Sequence, residues 1–233
     1  MSKVLVFAEF SNGKVKKSSL ELFSSTAGHE VAALLVGPGA DQAANDLKKH
    51  CQKIYVFTSA DLNNYNSAQY AAVFSQVIAK FNPEVLLGSG SLAAKDLFPR
   101  LAARFDSGYL SDCVEIKLDS SGVKVKRPMY AGKSSAWAEF TSHSKIKVIL
   151  MRSNQLPQPT EGSLSAEVIN ESFSSATSRV KTKEVVKSTS SKADLTEASI
   201  IVSGGRGLQA AENFKMLEDL ANTIGATVGA SRA

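Results

Sequence analysis

Residues 203–207 (Ser-Gly-Gly-Arg-Gly) form the segment of this sequence best suited to hold a phosphate group. They follow a short apolar run at 199–202 and precede a helical pattern, which predicts a strand-to-helix turn. Glycines in such a turn let a ligand approach the backbone N–H groups, and a helix N-terminus favours negative charge. Arg206 could add a charge-assisted contact. The alternative is an ordinary turn in which the glycines serve geometry alone.

A second segment, residues 229–232 (Gly-Ala-Ser-Arg), comes at the carboxyl end of the next predicted strand. Open α/β sheets bind ligands at that edge. If the two strands are neighbours, Gly205 and Arg206 lie beside Ser231 and Arg232 in one crevice. The alternative for Arg232 is a solvated charge.

Two other segments carry glycines and cations. Residues 88–91 (Gly-Ser-Gly-Ser) also stand between a strand and a helix, with Lys95 and Arg100 downstream. This segment could also hold a phosphate, but a tight chain reversal over the sheet is the favoured interpretation there. Residues 127–133 (Arg-Pro-Met-Tyr-Ala-Gly-Lys) are interpreted as a surface loop.

Several classes of chemistry are not expected. Two cysteines are too few for a disulfide framework or a four-cysteine zinc site, and three separated histidines form no ligand pair. Cys113 is interpreted as a buried apolar residue, and no Ser-His-Asp arrangement can be argued. The net charge of +5 lies mostly in the polar stretch 145–192, without interleaved aromatic residues, so we expect no nucleic-acid partner. The sequence has no long uncharged apolar run and no signal-peptide pattern, so we expect no membrane insertion.

The elements that must position these residues alternate along the chain. Apolar runs at 3–8, 31–36, 53–57 and 84–87 predict buried strands. Helical spacing predicts helices at 67–81, with Ser67 as N-cap, and at 92–105, where Pro99 either kinks the helix or marks its regular start. This order predicts a three-layer α/β/α sandwich with a mostly parallel sheet.

The pattern changes after Asp112. Alternation over 113–118 and 123–126, around a turn at 119–122, predicts an antiparallel hairpin, and a further strand is predicted at 145–151. Residues 157–192 are rich in Ser, Thr and Lys and are interpreted as a linker with one or two edge strands, at 168–169 and 185–186.

The last part of the sequence predicts one further β-α-β element, with Gly225 ending its helix. Such a fragment rarely buries enough surface to hold itself, so it either docks on another surface or begins a larger domain, which is the favoured interpretation. We therefore divide the chain into residues 1–188, an α/β domain, and 189–233, the start of a second, Rossmann-like domain.

Taken together, these segments resemble the alpha subunit of electron-transfer flavoprotein, across nearly the whole chain and in the same order. The matching segments are residues 88–91, 95–104, 111–112, 127–128, 130–133, 194–198, 202–208, 212–215 and 228–233.

The resemblance implies a function that the pattern alone does not give. The family is a heterodimer in which the alpha N-terminal domain pairs with a beta subunit, the alpha C-terminal domain binds FAD, and beta usually binds AMP. It is an electron carrier rather than an enzyme. It takes electrons from dehydrogenases, such as the acyl-CoA dehydrogenases of fatty acid β-oxidation, and passes them to a membrane quinone oxidoreductase. The expected location is the cytoplasm of a bacterium or the mitochondrial matrix of a eukaryote.

The resemblance also assigns roles to residues. Arg206 and Ser231, with Gly205 of the same turn, are expected to contact FAD, and Arg232 is expected beside the isoalloxazine ring. In the family the FAD domain continues well beyond the position of Ala233, so we expect this 233-residue chain to bind FAD weakly or not at all. The alternative function is a nucleotide-binding module of the stress-protein type, which the loop at 88–91 would suit.

Overall fold

A computed structural model describes residues 1–119, 122–160, 162–186, 195 and 198–231. The chain separates into two compact units, Met1–Lys183 and Glu184–Ala233. Each unit is described by itself below.

The first unit alternates strands and helices before its pattern turns to strands alone. Its strands are β1 (Lys3–Phe7), β2 (Phe10–Ser11), β3 (Lys14–Val15), β4 (Glu30–Val36), β5 (Lys53–Phe57), β6 (Val85–Ser89), β7 (Tyr109–Cys113), β8 (Glu115–Asp119), β9 (Gly122–Met129), β10 (Ser134–Glu139), β11 (Lys147–Met151) and β12 (Glu167–Asn170). Its α-helices are α1 (Lys17–Leu20), α2 (Ala40–Ala43), α3 (Ser67–Phe81) and α4 (Leu92–Arg104).

Within the described residues, seven strands form one sheet in the order β12-β5-β4-β1-β6-β11-β7. Every pairing in this sheet is parallel. The chain first winds outward from β1 through β4 and β5, then returns to β6 on the other side of β1. The predicted α/β class with a mostly parallel sheet is confirmed, and the antiparallel strands β8, β9 and β10 form a separate sheet.

The central strands are buried on both faces because helices cover each side of the sheet. Leu5 and Phe7 of β1 join a core with α3 and α4, whereas Val4 and Val6 join a second core with the short helices at 17–25 and 40–47. Successive strand residues point to opposite faces, so an uninterrupted apolar run is what such a strand requires.

The N-cap of helix α3 lies one residue earlier than predicted. The N-cap is Asn66, whose Oδ1 accepts from the N–H groups of Ala68 and Gln69, and Ser67 is the first helical residue. The prediction of Ser67 as cap is wrong because an amide oxygen one position earlier reaches the same free donors.

Helix α4 runs continuously through Pro99. Ser91 caps its N-terminus by accepting from the N–H of Ala94. A Cβ on Gly88 would meet the ring of Phe98 of this helix, so Gly88 permits close packing of helix on sheet. The favoured interpretation of the 88–91 segment, a tight reversal over the sheet, agrees with this packing.

The region around Cys113 differs from the prediction. Cys113 ends β7, which pairs with β11 in the large sheet, and the hairpin strand begins only at Glu115. The hairpin acquires a third strand, β10, which the sequence did not predict. Residues 120 and 121 of the predicted turn lie outside the described residues.

The polar stretch after β11 forms hydrogen bonds and an ion pair with other parts of the first unit. Val168 and Ile169 lie in β12, the predicted edge strand, whereas Val185 and Val186 lie in no strand. The Gln69 side chain of α3 hydrogen-bonds to Ala176, and Lys80 pairs with Glu171 at 2.6 Å. The edge strand predicted at 168–169 is therefore confirmed, whereas the linker interpretation is wrong for residues 171–180, which bond to α3.

The second unit has the predicted β-α-β order: β13 (Ile201–Gly204), α5 (Phe214–Ile224) and β14 (Thr227–Ala230). The two strands pair in parallel, and Gly225 ends α5 with φ of +69°. Ala221 is buried, but Leu220 and Ile224 are 49% and 46% exposed. This unit therefore buries little of its own apolar surface among the described residues. Across both units, no described helix is long and apolar enough to cross a membrane.

Candidate functional site

The carboxyl ends of β13 and β14 bring the two predicted segments together. Gly204 is in register with Ala230, and the backbone N–H of Ser231 donates to the Gly204 carbonyl at 3.1 Å. Residues 204–207 and Ser231 therefore share one edge of this small sheet, as the strand order predicts. Arg232 lies outside the described residues.

The two adjacent glycines have different surroundings. A Cβ on Gly204 would run into the side chains of Leu208 and Leu217, so Gly204 lets the loop pack on α5. A Cβ on Gly205 would lie 2.7 Å from the Ser231 Oγ, so Gly205 permits the close approach of the Ser231 side chain. The first glycine therefore serves the packing of the loop on α5, and the second serves the contact between the loop and the end of β14.

The loop after the glycines is built from short turns, not from the start of α5. Leu208 donates to the Gly205 carbonyl at 3.0 Å, and Asn213 Nδ2 donates to the Leu208 carbonyl at 2.6 Å. Helix α5 begins only at Phe214. The expected helix N-terminus directly behind the glycines is therefore wrong, because two 3-10 turns at 206–208 and 211–213 intervene.

Two backbone donors of this loop have no hydrogen-bond partner among the described residues. The backbone N–H groups of Arg206 and Gly207 donate to no other group of the described chain, and both residues are exposed. Arg206 likewise forms no ion pair within the described ranges. Free amides, one guanidinium and a hydroxyl beside a glycine fit the phosphate part of a dinucleotide.

The comparisons with known proteins identify the family. A model described as "Electron transfer flavoprotein domain" matches residues 4–189, and one described as "Electron transfer flavoprotein FAD-binding domain" matches residues 194–233. The chain belongs to the electron transfer flavoprotein alpha-subunit family. The two matches meet near the point where the structure divides into its two units.

Individual relatives agree with this assignment. The alpha subunit of electron transfer flavoprotein from Bacillus subtilis is 32% identical, with 99% of this chain and 72% of the relative covered. The alpha subunit from Clostridium acetobutylicum is 31% identical over the same shares. A probable mitochondrial alpha subunit from Cryptococcus neoformans is 30% identical, with 98% of this chain and 68% of the relative covered.

FAD is the cofactor of this electron transfer flavoprotein chain. The FAD-binding family model covers β13, the glycine loop, α5 and β14, which are the parts that form the edge described above. The exposed backbone N–H groups of Arg206 and Gly207, which have no partner among the described residues, agree with a bound dinucleotide.

The first unit offers no reactive thiol or metal cluster among its described residues. Burial raises the pKa of the Cys113 thiol to about 11 and that of Cys51 to about 12, so both stay protonated at neutral pH. No group of three or more potential ligands is found in the described ranges. Cys113 is buried, as predicted.

In this chain an acidic residue, Glu9, lies at the crevice where nucleotide-binding α/β folds hold their ligand. The winding direction reverses between β1 and β6, and Glu9 follows β1 at that point. Burial raises the pKa of Glu9, offset in part by the Ser91 hydroxyl and the charge of Lys16. A carboxyl group at this position opposes a phosphate, which disfavours the stress-protein alternative.

A cluster of cations was not predicted as one site. Lys95 and Arg127 were noted in separate segments, but Arg152 was not singled out. All three act on Asp112, whose own backbone is left-handed with φ of +59°. The signal that could have located this cluster is position along the strands, because Asp112 and Arg152 lie at the carboxyl ends of neighbouring strands β7 and β11. Arg100 instead pairs with Asp96 on the outside of α4.

Proposed function

We propose that this chain is the alpha subunit of a heterodimeric electron transfer flavoprotein and carries electrons on FAD. The observation on which this depends is the shared edge of β13 and β14, where Gly205 and Ser231 adjoin within the part matched by the FAD-binding family model. The bound cofactor would supply the redox chemistry. The protein would supply binding, orientation and electrostatics.

The residue roles follow from the chemistry of each group. Gly205 permits the close approach of Ser231, the Ser231 hydroxyl can hydrogen-bond to the cofactor, and Arg206 can neutralise phosphate charge. Arg232 is proposed to stand beside the isoalloxazine ring, where a guanidinium would favour negative charge on the ring and raise its reduction potential.

The partners are proposed at the level of the family. The first domain, proposed as residues 1–188, would pair with a beta subunit that holds AMP. Electrons would come from acyl-CoA or other dehydrogenases and pass to a membrane quinone oxidoreductase, in the bacterial cytoplasm or the mitochondrial matrix. The chain would act as a carrier and make no covalent bonds in a substrate.

The three-stranded sheet is the surface we propose for the beta subunit. Its edge strand β10 is exposed, and Trp137 on that strand is 44% accessible beneath the Lys117 ammonium. An exposed strand edge with a large aromatic residue favours a protein partner. Trp137→Ala should weaken copurification of a beta subunit without changing the melting temperature of the chain alone.

The weak or absent binding of FAD by the 233-residue chain alone stays a prediction. The half-exposed Leu220 and Ile224 support it, since a domain that buries little apolar surface holds a ligand edge loosely. Titration of the verified chain with FAD, followed by flavin fluorescence, checks this point.

The function is tested with the chain coexpressed with a beta subunit. The purified complex should show a flavin absorbance band, and Arg206→Gln should lower the flavin content. Arg179→Gln makes the same charge change on an exposed residue of the first unit and serves as control. A complex without flavin, even after addition of FAD and with the intact mass confirmed, would contradict the proposal.

A further inference from the structure

A cavity in the first unit lies at the carboxyl edge of β6, β11 and β7. Its volume is about 670 Å³, within the range of small-molecule sites. Its walls combine an apolar part with hydroxyl and charged groups: Gly90, Lys95, Pro99, Tyr109, Ser111, Asp112, Leu150, Met151, Arg152 and Ser153. A cavity of this composition suits a ligand with one polar end.

The acid of the cavity is already neutralised. Arg152 donates from Nε and Nη2 to the two oxygens of Asp112, at 2.8 and 2.7 Å. This hydrogen bonding, with the nearby charges of Lys95 and Arg127, lowers the pKa of Asp112. Asp112 therefore stays ionised and orients the Arg152 guanidinium, whose remaining N–H groups are free to face the cavity.

Arg127 adds a cation without a partner. Its Nε is fully buried and has no hydrogen-bond acceptor, and the whole guanidinium donates to none of the described residues. Its charge nevertheless acts on Tyr109, Asp112 and Cys113, so it lies close behind the cavity wall. A buried donor left unpaired is costly, and the charge of Arg127 adds to the positive potential at this wall.

The charges at this edge do not balance. Lys95, Arg127 and Arg152 face the single carboxylate of Asp112, which leaves two positive charges. Ser111 and Ser153 add hydroxyl donors. A group with two negative charges and several acceptor oxygens would satisfy these donors together, and a phosphate monoester is such a group.

We propose that this cavity binds a small organic phosphate, with the phosphate group held between Lys95 and Arg152 and attracted by the charge of Arg127 behind the cavity wall. The organic part would lie against Pro99, Tyr109 and Leu150, because the cavity is much larger than a phosphate ion. Gly90 has no side chain to narrow the entrance, and its N–H is bonded to the Met151 carbonyl at 2.7 Å. The site is independent of FAD and of the proposed function.

The test uses the full chain and two probes, inorganic phosphate and phenyl phosphate, titrated calorimetrically at constant ionic strength. Both should bind, with phenyl phosphate tighter because its ring contacts the apolar wall. Lys95→Gln removes an exposed positive charge without disturbing the core. It should weaken the binding of both probes by about tenfold. Arg100→Gln, on the same helix but outside the cavity, should leave both unchanged.

Arg127→Gln and Arg127→Lys complete the test. Glutamine should weaken the binding of both probes because it removes a positive charge behind the cavity wall, and lysine should restore the binding because it retains that charge. Absence of saturable binding by the unaltered chain would overturn the proposal, as would equal losses in Lys95→Gln and Arg100→Gln. Loss of a beta subunit from Arg127→Gln with unchanged phosphate binding would instead assign Arg127 to a protein interface.

Discussion

Gly205 and Ser231 adjoin so closely that a single methyl group on the glycine would lie 2.7 Å from the serine Oγ. The hydroxyl oxygen and the glycine Cα therefore form one surface at the carboxyl edge of β13 and β14. The backbone N–H of Ser231 fixes this relationship by donating to the Gly204 carbonyl at 3.1 Å. The absence of a side chain at Gly205 thus permits this close contact, and the strand pairing keeps the backbone of Ser231 in place.

Gly205→Ala should lower the FAD affinity of the alpha–beta complex by about tenfold or more, because the methyl group displaces Ser231 and narrows the edge. Gly207→Ala is the matched control, since a Cβ there would meet nothing within 4 Å. The flavin-to-protein absorbance ratio and the FAD dissociation constant measure the effect. Equal affinities for the two variants would remove Gly205 from the site.

Gly88→Ala should destabilise the first unit by about 1–3 kcal/mol, the usual cost of overpacking a filled core. The added methyl group would meet the Phe98 ring, with Leu150 Cδ2 only 3.0 Å away on the other side. Urea unfolding measures the change. Adding Phe98→Leu to Gly88→Ala should recover part of the lost unfolding free energy. If the double variant loses as much unfolding free energy as the two single variants together, the clash with Phe98 is not the cause.

The sequence was most informative where burial is complete. Strands such as β4 and β5 are covered on both faces, so their apolar runs identify them without ambiguity. Strand β7 was missed because it is an edge strand that contains Ser111 and Asp112 and is largely half-buried. Strand β10 was missed because nearly all of it is exposed, so no apolar pattern is needed.

The two candidate sites also differ in how far the sequence predicts them. The glycine loop and Ser231 could be placed together from sequence, because they follow two consecutive parallel strands of one β-α-β unit. The cluster of Lys95, Arg127 and Arg152 could not be placed, since these residues come from three separate segments. They meet only because β11 inserts between β6 and β7 and because β9 lies against β7.

Glu9→Gln should stabilise the chain at neutral pH. Burial raises the pKa of Glu9 above its ordinary 4.5, so the folded state favours the protonated form. The stability that this group contributes is complete below the unfolded pKa and is lost as the pH rises through the folded value. Glutamine imitates the protonated form at every pH.

The unfolding free energies of Glu9→Gln and the unaltered chain should therefore differ at pH 7 and converge below about pH 4. Glu84→Gln alters an exposed carboxyl group and serves as control. A variant that is less stable at pH 7 would show that the attraction of Glu9 to Lys16 outweighs the cost of its burial.

Asp112→Asn tests the ion pair with Arg152 and has the opposite pH dependence. The Arg152 hydrogen bonds lower the pKa of Asp112, so its contribution is present above the unfolded pKa and is lost as the pH falls through the folded value. Because the two side chains are 47% and 50% exposed, solvent screening limits the contribution to about 1 kcal/mol or less. Urea unfolding at pH 7 should show this small loss, and the difference between the variant and the unaltered chain should shrink as the pH falls through the lowered pKa of Asp112. A difference that stays constant as the pH falls would mean that Asp112 acts through its shape at the left-handed position rather than through its charge.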